Sequence, residues 1–216
     1  MQLDHLSFAA GPEGLDETTR RLGGQLGAPF TDGGFHPRFG TRNQILPLVG
    51  GKYLEVVEVL DHPASEKAPF GQAVRARSSD GGGWLGWVVS VDDLAPYEER
   101  LGRAAVEGSR HRPDGTQLRW QQLGVRGTQS DPQLPFFVRW LSDPVYHPST
   151  GLAAVPVPEV SLLKLEIAGD HDRVDEWLGG KTNLILEDVD IDWVAPHGQP
   201  GVVAAVFGTP RGPVRI

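Results

Sequence analysis

The chain has 216 residues, of which 39% are hydrophobic and 22% charged, with a formal net charge of −8 and no cysteine. The length suits one large domain or two small ones, the acidic balance disfavours nucleic acid and anionic membrane as partners, and the lack of Cys excludes disulfides, Cys-ligated zinc and thiol catalysis. No apolar run approaches the roughly 20 residues that span a bilayer, and the chain opens with Asp4 and His5 where a signal peptide would be basic, so the expected location is the cytoplasm.

The 28 glycines and 18 prolines are spread between apolar runs, the punctuation of many short strands. In chain order, "LDHLSFAA" reads as a strand and "LDETTRRLGG" (Leu15 to Gly24) as a polar surface helix stopped by Gly. "RNQILPLVG" and "KYLEVVEVL" read as two strands joined at Gly50-Gly51, a hairpin signal. The same order then recurs. "WLGWVVSVDD" is a strand, "LAPYEERLGR" a helix, and "TQLRWQQLGV" and "LPFFVRWL" are strands. A third pass follows, with "SLLKLEIAGD", the helix "HDRVDEWLGG", and the strands "TNLILEDVDIDWV", "VVAAVFGTP" and "GPVRI". The Leu before the closing Gly is Leu22, Leu101 and Leu178, at spacings of 79 and 77 residues. Acidic residues mark the start of the second and third helices, where they suit the helix N-terminus. The expected class is therefore α+β, built from repeated β-α-β-β-β units at 1–75, 76–150 and 151–216, the last shorter.

This unit, together with "LDHLSFAAG", "GGFHPRFGTRNQILPLVGGKYLEVVEV", "RHRPDGTQLRWQ", "LPFFVRW" and "TPRGPVRI", resembles the vicinal-oxygen-chelate superfamily (glyoxalase, bleomycin resistance and extradiol dioxygenase proteins), and within it the glyoxalase-like domain proteins. The resemblance implies two units paired into a cupped half-barrel around a small-molecule cavity, with a third partial unit. It also implies that His and Glu on the first and last strands of the units are metal ligands in metal-dependent members.

Strand parity gives His5 its candidate role. Leu3, His5 and Ser7 share the face expected to line the cup, and Leu6 and Phe8 the face under the helix. With Leu54 and Val56 placed under the helix, Glu55 enters the cup as well. A facing imidazole and carboxylate can ligate a metal, act as acid and base, or form a structural hydrogen bond. His36, in a Gly-flanked loop, is a candidate third ligand or substrate contact and Asn43 a candidate substrate contact, with an exposed loop histidine and a strand-edge or turn residue as the plain alternatives. The equivalents of His5 and Glu55 in the second unit fall near Gly86, flanked by Trp84 and Trp87, and near Phe137 or Arg139; none is a good ligand. Trp84, Phe137 and Arg139 are therefore candidate substrate contacts. In "LRWQ" and "VRW" the adjacent Arg and Trp must face opposite ways, so either Arg119 and Arg139 or Trp120 and Trp140 line the cup.

Asp188, Asp190 and Asp192 alternate with apolar residues like a solvated strand face, and "HRPDGT" reads as a Pro-Asp-Gly turn. The chain carries no phosphate loop, dinucleotide fingerprint, G-x-S-x-G or H-E-x-x-H. The functional expectation is binding of a small oxygen-rich or carboxylated metabolite. His5 and Glu55 would serve as catalytic residues or metal ligands in a lyase, isomerase or dioxygenase reaction. The alternatives are a non-catalytic sequestration module on the same fold and an interaction protein that dimerises through cup edges. The resemblance implies one divalent ion (Zn, Ni, Mn or Fe) or none; the expected partner is a small molecule, with a homodimer as a further option.

Overall fold

The computed structural model describes residues 1–151, 158–186 and 189–216. The first unit runs β1 (Gln2–Ala9), α1 (Leu15–Leu26), β2 (Thr31–His36), β3 (Thr41–Leu48) and β4 (Lys52–Val59). Two short helices follow, α2 (Pro63–Lys67) and α3 (Pro69–Ser79), and α3 spans the expected 75/76 boundary. The second unit runs β5 (Gly83–Ser90), α4 (Ala95–Leu101), β6 (Val106–His111), β7 (Gln117–Leu123), the short helix α5 (Val125–Ser130) and β8 (Phe136–Trp140). After two 3-10 turns at Pro144–Tyr146 and Pro148–Thr150 come β9 (Ser161–Ala168), α6 (His171–Leu178), α7 (Thr182–Ile185), β10 (Asp190–Ala195), β11 (Gly201–Thr209) and β12 (Gly212–Arg215).

The fold is mixed α+β, and the first two units form one curled sheet. Its order is β1-β4-β3-β2-β6-β7-β8-β5, and β5 pairs back to β1, so the expected cup closes into a barrel. β1 and β4 are parallel, as are β5 and β8; each pair is the crossover of one unit. The units meet at two seams. β1 and β5 pair antiparallel over most of their length, whereas β2 and β6 share the single register pair Phe35 with His111. Gly34 permits that second seam: its φ is +102°, and a Cβ there would overlap the His111 carbonyl. β9 to β12 form a separate four-stranded sheet, ordered β10-β9-β11-β12.

The larger apolar core lies between the outer wall of the barrel, α1 and this second sheet. It joins Leu3, Leu6, Leu22, Leu54, Val56 and Trp87 to Leu165, Ile167 and Phe207. A smaller core of Phe39, Val57, Phe70, Val88, Trp120, Phe136 and Val138 fills the barrel interior. No helix among the described residues is long and apolar enough to cross a membrane.

Three local expectations change. α1 runs past Gly23 and Gly24 to Leu26 and is capped by Gly27 at φ 72°, because Leu22, Gly23 and Leu26 are all buried against the core. The loop expected around His36 is instead strand β2, since Gly33 and Gly34 allow close approach of its neighbours rather than a turn. Among the described residues of "TNLILEDVDIDWV" the strand begins at Asp190 and runs on to Ala195; Thr182–Ile185 is a helical turn whose start is held by Asp175, which accepts from the Thr182 backbone N–H and hydroxyl. Asp190 and Asp192 are exposed on β10, with Lys164 bridging them, while Asp188 lies outside the described residues.

Candidate functional site

The interior of the barrel holds a cavity. His5, His36, Glu55 and Arg110 line it, together with Tyr53 and Gln122 and the apolar walls Phe39, Phe70, Trp120, Phe136, Val138 and Trp140. Each of its four ionisable imidazole, carboxylate and guanidinium groups belongs to a residue no more than 6% exposed.

His5 and Glu55 reach the cavity from the parallel pair β1 and β4. The His5 Nε2 to Glu55 Oε1 distance is 3.6 Å, an ion-pair contact longer than a hydrogen bond. Glu55 accepts two further hydrogen bonds: Ser7 Oγ donates to Oε1 at 2.6 Å and Asn43 Nδ2 to Oε2 at 2.8 Å. The other side of the imidazole is held by Asp4, with His5 Nδ1 at 2.6 Å from Asp4 Oδ1. Adjacent strand residues should face opposite ways, but the β1–β5 register slips between Leu3 and His5, so Asp4 is the extra residue of a β-bulge. The bulge turns Asp4 inward beside His5 and sends Leu3, expected in the cup, into the outer core with Leu6 and Phe8. Asp4 Oδ2 accepts from Trp140 Nε1 at 2.9 Å and lies 3.3 Å from His147 Nε2. His147 sits in the turns that follow β8. Its Nδ1 accepts from the Ser149 backbone N–H, so Nε2 carries the proton offered to Asp4.

These contacts set the protonation states. Burial lowers the pKa of His5, but the Asp4 hydrogen bond and the Glu55 carboxylate outweigh it and carry the imidazole up to about 9. Burial raises Glu55, and the His5 charge overcomes it to leave the carboxyl at about 2. Asp4 also lies well below the usual carboxylate range, since the hydrogen bonds with His147 and His5 outweigh its burial. For His36, burial outweighs the Glu55 carboxylate, and Arg110 and His5 add to it, pushing the imidazole down to about 4, so it is neutral, with Nδ1 against Thr41 Oγ1 at 2.9 Å. At neutral pH the cavity therefore holds an imidazolium between two carboxylates, a neutral imidazole and a buried guanidinium.

The sequence matches the glyoxalase-like domain family over residues 3–182. The chain belongs to the glyoxalase-like domain family. It thereby joins the vicinal-oxygen-chelate superfamily it resembles by sequence. This glyoxalase-like chain is similar to the crystal structure of a hypothetical protein from Staphylococcus aureus, at 17% identity, covering 88% of this chain and 83% of that one with a TM-score of 0.65, which places the two in one fold. Lesser likenesses, which carry no argument, include two structures of methylmalonyl-CoA epimerase. One, of a variant of the Streptomyces coelicolor enzyme in complex with 2-nitronate-propionyl-CoA, is 14% identical over 65% of this chain and 93% of its own (TM-score 0.41). Another, in complex with methylmalonyl-CoA and NH4+, is 16% identical over 73% and 98% (TM-score 0.39). No curated protein matches the chain.

The structure brings His5, Glu55, His36 and Asn43 together and leaves Trp84, Phe137 and Arg139 outside the cavity. On β8 the inward residues are Phe136, Val138 and Trp140, so by alternation Phe137 turns outward onto Tyr97 and Trp177, and Arg139 is exposed beside Gln121. Trp84 sits on the outer face, packed on Phe8 and Phe207. In both Arg-Trp pairs it is the Trp that lines the cavity. Sequence reasoning missed Asp4, Arg110 and His147; strand parity puts Tyr53 on the face of Glu55, where it lines the cavity. Asp4 was hidden because a bulge has no period, and Arg110 because "VEGSRH" is too polar and Gly-broken to read as a strand.

The donors do not fit the divalent ion that the family resemblance implies. Among the described residues no three His, Asp or Glu of the cavity bring ligand atoms within 4.8 Å of one another; the trio that does, Asp170, His171 and Asp172, is exposed at the start of α6. Both Glu55 oxygens already accept hydrogen bonds, His5 holds its proton strongly, and the Arg110 guanidinium adds positive charge. A metal ligand must instead be deprotonated and converge with its partners.

Proposed function

We propose that this chain is a metal-independent proton-transfer enzyme, of the isomerase or lyase type, acting on a small oxygen-rich metabolite inside the barrel. The observation that carries the reading is the His5 and Glu55 pair, an imidazolium and a carboxylate 3.6 Å apart in a buried cavity, each oriented from behind by its own partners. Glu55 takes a proton from the carbon beside a carbonyl, and the His5 Nε2–H donates to the oxygen on which negative charge develops. While it contacts the His5 imidazolium, Glu55 is too acidic to be a good base. A ligand oxygen that accepts the His5 Nε2–H competes with Glu55 for that charge, and the ligand excludes water; both changes raise the basicity of Glu55. Asp4 keeps Nδ1 protonated and Nε2 directed at the ligand, an orienting role general to catalytic histidines.

The test is exchange of the α-proton of small carbonyl compounds for solvent deuterium, followed by NMR. Catalysed exchange that survives EDTA and is lost in Glu55→Gln supports the reading. Exchange that requires added metal, or that is unchanged in Glu55→Gln, overturns it. The aromatic walls of Phe39, Phe70, Trp120 and Phe136 favour a second reading, sequestration without turnover, whose signature is ligand binding with no exchange in any compound.

A further inference from the structure

Arg110 stands apart from the acid–base pair. It comes from β6, is 3% exposed and lines the cavity. Its Nε is buried and, among the described residues, has no hydrogen-bond partner. The contact found for the guanidinium is long and to a neutral group, from Nη1 to Asn43 Oδ1 at 3.5 Å. The fold makes room for this arrangement, since a Cβ at Gly33 would overlap the Asn43 amide and crowd Nη1. A guanidinium buried without a paired carboxylate is costly in a protein that has no use for it. Its planar fork matches a carboxylate.

We propose that the cavity takes a small monocarboxylate, with the carboxylate on Arg110 and an apolar or aromatic remainder against Phe39, Phe70, Trp120 and Phe136. The inference rests on reading this cavity as the functional site, but not on the chemistry assigned to His5 and Glu55. Charge selects a monoanion. The charges of Asp4, His5, Glu55 and Arg110 sum to zero, so a monocarboxylate on Arg110 adds one negative charge, whereas a phosphate dianion would add two beside Glu55. Gln122 supplies a neutral donor on the same wall. Its carbonyl oxygen is taken by Trp120 Nε1 at 2.9 Å, which leaves its amide NH2 to turn toward the ligand.

The experiment is calorimetric titration of the full chain with benzoate, phenylacetate, pyruvate and glycolate, with benzamide and inorganic phosphate as controls, on wild type, Arg110→Met and Glu55→Gln. At least one carboxylate is expected to bind wild type, with benzamide and phosphate at least about 10-fold weaker than the best of them, the scale of one charge-assisted contact. Arg110→Met should lose that carboxylate about 30-fold or more while its melting temperature holds or rises, because the substitution removes an unpaired buried charge. A fall of Tm in Arg110→Met with carboxylate affinity intact identifies a structural arginine and overturns the proposal. So does the failure of all four carboxylates to bind, or benzamide binding as well as benzoate. Glu55→Gln separates the two readings: it should keep or strengthen carboxylate binding, whether or not proton exchange is ever detected.

Discussion

Asp4 is the bulged residue of β1, and its carboxylate oxygens are shared among His5, Trp140 and His147, all within 3.3 Å. Removing its charge leaves His5 with Glu55 as its one anionic neighbour. In Asp4→Asn the His5 pKa is expected to fall from about 9 toward the ordinary 6.5, read as the midpoint of the imidazole NMR titration. The same substitution should cost about 3 kcal/mol in denaturant unfolding, the scale for breaking a buried charge pair on one side. His147→Ala deletes a partly exposed donor and leaves the other two, so it should cost about 1 kcal/mol and leave His5 raised. The two variants together distinguish Asp4 as the group that sets His5 from Asp4 as a member of a network in which every bond matters equally. None of this is visible in "LDHL", where Asp4 reads as an outward strand residue; it becomes visible only with the register of β5.

Strand parity was legible wherever a strand was regular. It placed His5 and Glu55 inside the barrel, with Leu54 and Val56 outside, and the Gly-terminated helices were marked by their caps at Gly102 and Gly179. It failed where tertiary packing overrode local pattern. β2 and β6 carry glycines because other chains of atoms pass close by, and both strands were missed: Gly34 lies against the His111 carbonyl, and Gly108 leaves room for the Trp120 indole. On β8 parity left both faces open; the candidate contacts Phe137 and Arg139 lie on the outward one, and Phe136, Val138 and Trp140 face inward. The seam between β2 and β6 gives a direct test. Gly34→Ala places a methyl group on a carbonyl at φ +102°, and because the seam has a single register pair there is little to absorb the shift; the expected loss is about 3 kcal/mol or more. Gly51→Ala, also at positive φ but with nothing within 4 Å, should cost only the backbone strain, about 1 kcal/mol. Equal losses in urea unfolding would mean that the seam contributes no more than a hairpin tip.

At the scale of the whole molecule, the closed barrel gathers groups of opposite pH response into one buried cavity, and this shapes global stability. His5 is raised to about 9, so the folded state binds its proton more tightly than the unfolded chain; that contribution is complete below about pH 6.5 and is lost as pH rises through 9. His36 is lowered to about 4, so the folded state resists its proton; that contribution is complete above about pH 6.5 and is lost as pH falls toward 4. Glu55, lowered to about 2, adds a further loss only below its unfolded value near 4.5. The two histidines therefore oppose each other about a maximum near pH 6.5, each limb worth about 3 kcal/mol at its far end on the linkage scale. Denaturant unfolding between pH 4.5 and 9.5 should trace a peak rather than a plateau. His36→Gln should flatten the acid limb and leave the alkaline one, and His5→Gln should do the reverse. EDTA should leave the whole curve in place, because the cavity charges balance through Asp4, His5, Glu55 and Arg110 without a cation. A curve that moves by more than about 1 kcal/mol on chelation would show that the barrel is completed by a metal after all, and that the strong hold of His5 on its proton belongs only to the metal-free state.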